Sequence, residues 1–430
     1  VKRGDVLELD VVGLTLEGDG VAHLEERAVS VTGAFPGERA RVRIADLSRH
    51  HPRAHASAQA IVVPHPARRA VPCESHVAHG GACTGCPLME LDENAQRALK
   101  RAMLQDNFGL HVAEVEGTAN ALGYRYSSKR VVFGAKGKLR LGSFARASHR
   151  AAPMWNCLVD HPRITEALSE LCAEASELGI LAYDESKAEG DLRYVWAKTD
   201  GTRTILTLIT GHETSRAAEE LPTRLSRAAG VLHSVQGSRT NAIRGSAPVL
   251  LCGTAELDIE ILGERMGVGA LGFLQPNPEV AALAYQALLD APPFALAFDL
   301  YAGAGVTTRI LKRSQSEVMA CESYPESARA LGVAATSAEQ FLSEFRAQSP
   351  GRVPDLVIAN PPRQGLGERV CELLSELGAP RVHIMSCGPE GLARDLKRLD
   401  ARYVLTELRA FDTLPQTPHV ELVAKLTRRP

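Results

Sequence analysis

Cys387 follows the apolar run Ile384-Met385-Ser386 and precedes a Gly388-Pro389 turn. The run reads as a buried strand, so the thiol stands at its carboxyl end, the edge where open α/β sheets hold ligands. A thiol there is a candidate nucleophile; a buried apolar cysteine is the bland alternative. Thirty-four residues on, Glu421 opens another apolar stretch in Thr417-Pro418-His419-Val420-Glu421 and is a candidate general base. Upstream, Asp299-x-Tyr301-x-Gly303-x-Gly305 reads as a loop that lets backbone approach a nucleotide cofactor. Glu322, 23 residues after Asp299, ends the next strand, where a carboxylate can bind ribose hydroxyls. A dinucleotide fingerprint would put a third glycine where this chain has Thr308. With Asn360-Pro361-Pro362-Arg363 at a later strand end, the set favours S-adenosylmethionine as cofactor.

A second group of cysteines has different chemistry. Cys73, Cys83 and Cys86, with Cys157 much later, can supply four thiolates, and the Cys83-x2-Cys86 pair suits one metal centre. Sulfur ligands admit zinc or an iron–sulfur cluster, and from these residues alone zinc is the commoner outcome. Between Arg125 and Arg150 lie eight basic residues and no acidic ones, interleaved with Tyr126, Phe133 and Phe144 and preceded by Tyr124. Cations beside aromatic faces suit unpaired RNA; a solvated strand face with core aromatics is the alternative.

Positioning these groups requires several elements. The 430 residues have room for two or three cores, and a net charge of −2 argues against a uniformly basic nucleic-acid coat. No apolar run approaches the ~20 residues of a membrane helix, and Val1-Lys2-Arg3-Gly4-Asp5 lacks a signal-peptide core. A cytoplasmic location is therefore expected, with no obligate protein partner evident. Residues 4 to about 60 alternate like the short strands of an OB-type barrel, and the Pro/His/Ala-rich stretch from His50 to Pro72 reads as a linker. Helices are expected over Leu91 to Phe108, Glu166 to Leu178 and Ala217 to Ala229, with strands at Tyr194–Ala197 and Ile205–Leu208 between the last two. From Pro278 the pattern turns to regular α/β, with strands at 295–300, 318–321, 356–359 and 382–386 and two final strands that can pair antiparallel. The fold class is α/β: a C-terminal Rossmann-like class I methyltransferase sheet, a small N-terminal barrel and an α+β central domain.

Together these strings resemble the RNA uracil-5 methyltransferases, the tRNA and 23S rRNA 5-methyluridine enzymes, over nearly the whole chain. Ser386-Cys387-x-Pro389 followed by Leu392-Ala393-Arg394-Asp395 is similar to the family's nucleophile motif, and Asp412 to Glu421 to its terminal motif ending in the base. Phe273-Leu274-Gln275-Pro276-Asn277 is similar to a string whose glutamine contacts the cofactor. Residues 1–60 look like the TRAM barrel, 61–272 like the central domain and 273–430 like the methyltransferase domain. The resemblance implies catalytic Cys387 and Glu421, cofactor contacts at Gln275, Tyr301, Gly303, Glu322 and Asn360, and a [4Fe–4S] cluster on Cys73, Cys83, Cys86 and Cys157. It implies uracil C5 methylation through a cysteine adduct at C6 of an unpaired or flipped base, with 23S rRNA preferred over tRNA as partner. An exocyclic-amine methyltransferase, suggested by Asn-Pro-Pro, and a non-catalytic RNA-binding or assembly factor are the other readings. The chain departs from the family pattern at Asn360, where an aspartate is usual, at Gly388 for asparagine, and at Ser337 for a cofactor-binding aspartate. The Cys73–Cys83 spacing is also wide.

Overall fold

Short alternating strands at the N-terminus close on themselves, which removes their free edges. The computed structural model describes residues 1–146, 148, 150–238 and 243–430. These form two compact units: Val1–Ala70 with Pro87–Thr118 and Glu279–Pro430, and Val71–Cys86 with Ala119–Pro278.

In the first unit, Val6–Leu14, Gly20–Leu24, Arg27–Thr32, Arg39–Leu47 and Arg53–Val63 make a closed barrel. Its core takes Val11, Val29, Val31, Val42 and Ile44 from the inward positions. The expected linker from His50 is corrected here: Arg53–Val63 is a barrel strand pairing with two neighbours. It buries Ala54 and Ala56, residues small enough to resemble linker composition.

The same unit holds a seven-stranded sheet in the order Glu317–Cys321, Leu296–Leu300, Leu356–Ala359, Arg381–Ser386, Glu421–Arg428, Tyr403–Phe411 and Val115–Glu116. The first four strands run parallel and the Arg381–Ser386/Glu421–Arg428 and Tyr403–Phe411/Glu421–Arg428 pairs are antiparallel. Leu356–Ala359 is buried at every position, as expected of a parallel strand covered on both faces. The helix Glu368–Leu377 packs its apolar stripe of Val370, Leu373, Leu374 and Leu377 on this sheet. Beyond Glu322 the chain forms helix Pro325–Leu331 and a single bridge, Glu322 to Ala335, instead of another strand.

The second unit carries a seven-stranded sheet running Val249–Gly253, Gly230–Val235, Thr204–Thr210, Leu192–Thr199, Ser127–Ala135, Lys138–Phe144 and Ala151–Pro153. Helix Pro162–Glu177 covers one face with Ile164, Ala167, Leu168 and Leu171. The helix expected over Ala217 to Ala229 is only Arg216–Glu220, because Pro222 follows Leu221 and the chain turns. Among the described residues no helix is long and apolar enough to cross a membrane.

Candidate active site

Three parallel strands deliver the cofactor-loop residues to one edge. Leu296–Leu300 lies between Glu317–Cys321 and Leu356–Ala359, so Tyr301, Glu322 and Asn360 each follow a neighbouring strand end. The Glu322 carboxylate is held by two backbone amides, Gly303 N–H at 2.9 Å and Tyr324 N–H at 2.6 Å. Each of its oxygens keeps a second lone pair for a ligand hydroxyl. Tyr301 adopts φ +60°, unusual outside glycine, and the Asn360 N–H donates to Leu300 O at 3.2 Å. Buried Asp299 accepts from the Thr307 and Thr308 hydroxyls at 2.6 and 2.5 Å. Thr308 therefore fills the third-glycine slot with a donor, while burial still pushes Asp299 up to about 6. Ser337 caps helix Ala338–Gln348 by accepting from Gln340 N–H at 3.1 Å, which accounts for a serine at that position. Gln275 is buried in the second unit.

The register of the antiparallel pair brings the sequence's two catalytic candidates together. Ser386 is opposite Leu422, so the next step along the ladder sets Cys387 beside Glu421. Burial raises the Cys387 thiol, Glu421 raises it further, and Arg363 opposes both by charge and hydrogen bonding. Glu421, 5% exposed, is pushed up to about 8 by burial, again with Arg363 as the opposing charge. Arg363 itself is exposed, so water screens its effect, and desolvation wins at both groups. Sequence reasoning placed Arg363 only within a motif; nothing in a 24-residue separation from Cys387 signals that they meet.

Most of the terminal motif leading to Glu421 is scaffolding. Helix Glu93–Phe108, capped by Asp92 and ended by Gly109 at φ +66°, presents Gln96 and Lys100 to it. The Lys100 ammonium, 0% exposed, bonds Asp412 Oδ1 at 2.5 Å and the Leu414 and His419 carbonyls at 3.3 and 3.2 Å. Burial lowers its pKa while Asp412 supports its charge. Gln96 Nε2 donates to Gln416 Oε1 at 2.8 Å, and Gln416 N–H donates back to Gln96 Oε1 at 2.9 Å. Such reciprocal pairing fixes a loop without leaving a buried amide unsatisfied. Gln416 sits at φ +70°, a backbone state that this clamp holds.

The four cysteines lie in the second unit. Cys83 N–H donates to Ser75 O at 3.1 Å, and Ser75 Oγ accepts from Trp155 N–H at 3.0 Å, which carries the Cys157 segment to the Cys73–Cys86 loop. The Cys86 thiol is raised by burial and then by Cys157, Cys83 and Cys73, while Arg125 opposes. Cys157 is raised by burial and by Asp160, with Arg130 and Arg125 opposing. The other three thiols thus lie within electrostatic reach of Cys86. Among the described residues, however, no group of three or more His, Cys, Asp or Glu side chains is drawn in closely enough to hold a metal ion.

The basic segment is partly corrected. Arg125 and Arg130 are internal, and Arg130 pairs with buried Asp160. Tyr124 is buried, Phe144 packs on the core and Tyr126 stacks edge-on against His161 at 4.9 Å. Lys129, Lys136, Lys138 and Arg140 remain exposed, with the Arg140 guanidinium 5.5 Å from the ring of exposed Trp155.

A TRAM domain model matches residues 1–56, and a tRNA (Uracil-5-)-methyltransferase model matches residues 353–429. An uncharacterized RNA methyltransferase of Geobacter sulfurreducens is 29% identical over 100% of this chain and 91% of its own length. Another, from Halalkalibacterium halodurans, is 27% identical over 99% of this chain and 98% of its own. The crystal structure of Pyrococcus abyssi tRNA (uracil-54, C5)-methyltransferase with S-adenosyl-L-homocysteine shares the fold, with a TM-score of 0.76. It is 23% identical, over 98% of this chain and 100% of that one.

Proposed function

Because this chain belongs to the S-adenosylmethionine-dependent RNA uracil-5 methyltransferases that carry a TRAM domain, we propose that it methylates uracil C5 through a covalent Cys387 adduct. The observation that carries this reading is the pairing of Cys387 with Glu421 under one guanidinium, Arg363. Uracil C5 is too weak a nucleophile to take a methyl group unaided. The Cys387 thiol gives up its proton to water, the thiolate sulfur bonds to C6, and the C5–C6 electron pair moves into an enolate ending at O4. C5 then attacks the sulfonium methyl, and the S–CH3 electron pair stays on the departing sulfur. Glu421 removes the C5 proton, the C5–C6 double bond re-forms and the thiolate leaves. Tyr301, Gly303, Glu322 and Asn360 are the cofactor contacts in this reading.

Glu421 near 8 is mostly protonated at neutral pH, so it must ionise before it can take the C5 proton. Closure of RNA over the site removes water from around Arg363, which strengthens its pull on both groups. The target is 23S rRNA as first choice. The name of the matching family model and that of the Pyrococcus protein favour tRNA as the second. Cys73, Cys83, Cys86 and Cys157 would hold a [4Fe–4S] cluster, which would tie their two segments together.

Incubation with S-adenosylmethionine and 5-fluorouridine-containing 23S rRNA fragments or tRNA tests the chemistry. Fluorine at C5 cannot leave as a proton, so a denaturation-resistant adduct is expected with the true target and none with Cys387→Ala. No adduct with either RNA would overturn the reading. Anaerobically purified protein should carry about four irons per chain; stoichiometric zinc would refute the cluster.

A further inference from the structure

The turn that carries Arg363 rests on the helix that follows Cys387. In helix Pro389–Leu399, Asp395 is 0% exposed, and its Oδ2 accepts the Leu366 N–H at 2.6 Å. Its Oδ1 meets Arg398 Nη1 at 3.2 Å and Cys371 Sγ at 3.7 Å. Gly365 N–H closes the turn on Pro362 O at 2.8 Å. Gly365 has φ +88°, and a Cβ there would overlap Asp395 Oδ2. A Cβ at Gly388 would overlap Arg363 O, and one at Gly391 would lie 2.7 Å from it. Gly388, the departure beside the nucleophile, thus makes room for the backbone that bears the arginine.

We propose that Asp395 is a positioning residue that fixes the Pro362–Leu366 turn on the helix and thereby holds the Arg363 guanidinium at the Cys387–Glu421 pair. A charge-assisted bond to a buried amide is among the stronger local anchors. The groups facing Cys387 are Glu421 from the adjoining strand and Arg363 from the turn. Those around Asp395 are Arg398, Cys371 and Tyr301, while Arg394 on the same helix is paired with Glu390. Arg363 is therefore the cation whose placement Asp395 controls at the thiol.

This inference rests on Cys387 as nucleophile, but its test reads the thiol directly and can fail independently of any RNA activity. The full chain is alkylated with iodoacetamide across a pH series, and modification of the Cys387 peptide is followed by mass spectrometry. Asp395→Ala should move the midpoint up by about one pH unit, as loss of a nearby cation does. Arg363→Ala should move it by a similar amount, and the double variant no further, since both act through one group. Asp395→Asn keeps an acceptor for Leu366 N–H and should restore most of the wild-type profile. If Asp395→Ala does not fold, Gly391→Ala, which displaces the Arg363 carbonyl, should give the same upward shift. An unchanged midpoint in the folded variant, or shifts of Asp395→Ala and Arg363→Ala that add, overturns the proposal.

Discussion

The two units each gather cysteine and arginine in a sheltered place, and they do so to opposite ends. In the second unit burial and three neighbouring thiols raise the Cys86 thiol, with Arg125 opposing there and Arg125 and Arg130 opposing at Cys157. Like charges there repel, which favours the protonated Cys86 thiol until a cation is near. In the first unit a single thiol shares one exposed arginine with a buried carboxylic acid. There a negative charge on either partner has Arg363 opposite it, as the proposed covalent adduct would need. In the proposed reading, the number of thiols per arginine is what would separate a ligand set from a nucleophile.

The strongest way to break this contrast is to remove the lone thiol. Cys387→Ala should lower methyl transfer by at least about 10³-fold, while iron content stays at the wild-type level by colorimetric assay. The reciprocal variant, Cys86→Ser, should lose the iron of the proposed cluster and lower the unfolding free energy by more than about 3 kcal/mol in anaerobic urea titrations. Cys387 alkylation should be unaffected in it.

Glu421→Gln sharpens the comparison further. With no base to take the C5 proton, the variant should accumulate a covalent adduct on unmodified RNA, visible as a denaturation-resistant band. Its stability should also change in a defined direction. A native pKa near 8 against an ordinary 4.5 means the folded chain keeps a proton that the unfolded chain has released. Wild-type stability contributed by this group is therefore full below about 4.5 and declines as pH rises towards 8, by about 3 kcal/mol at pH 7. The Gln variant lacks this decline, so its denaturation midpoint should overtake the wild type above pH 5. The smallest effect is expected at Thr308→Val, which removes one donor from Asp299 and should cost about 1–2 kcal/mol in the same titrations. A null result there would mean that Thr307 alone satisfies the carboxylate.

Much of the catalytic sheet was legible because buried parallel strands are continuous apolar runs. Leu356–Ala359 and Arg381–Ser386 fall where the pattern put them. Helix Pro389–Leu399 went unread because the motif Leu392-Ala393-Arg394-Asp395 drew attention to identity instead of to its apolar spacing. The fifth barrel strand was hidden by alanines, and the aromatics of the basic segment by an alternation that serves core and surface alike. Cys387 and Glu421 were readable as residue types at strand ends. Arg363 and Asp395 were not, since their importance lies in a turn pressed against a helix, and close backbone approach leaves no periodic trace.

The clamp on the terminal motif carries one more consequence, for the order in which the chain is made. Lys100 and Gln96 meet Asp412 and Gln416 across 312 and 320 residues. Glu421 follows that clamp directly. The partners that set its loop therefore leave the ribosome long before the loop does, and they wait for it through the synthesis of both units. A nascent chain that already displays the barrel and Cys387 remains without a placed Glu421 until those distant segments close.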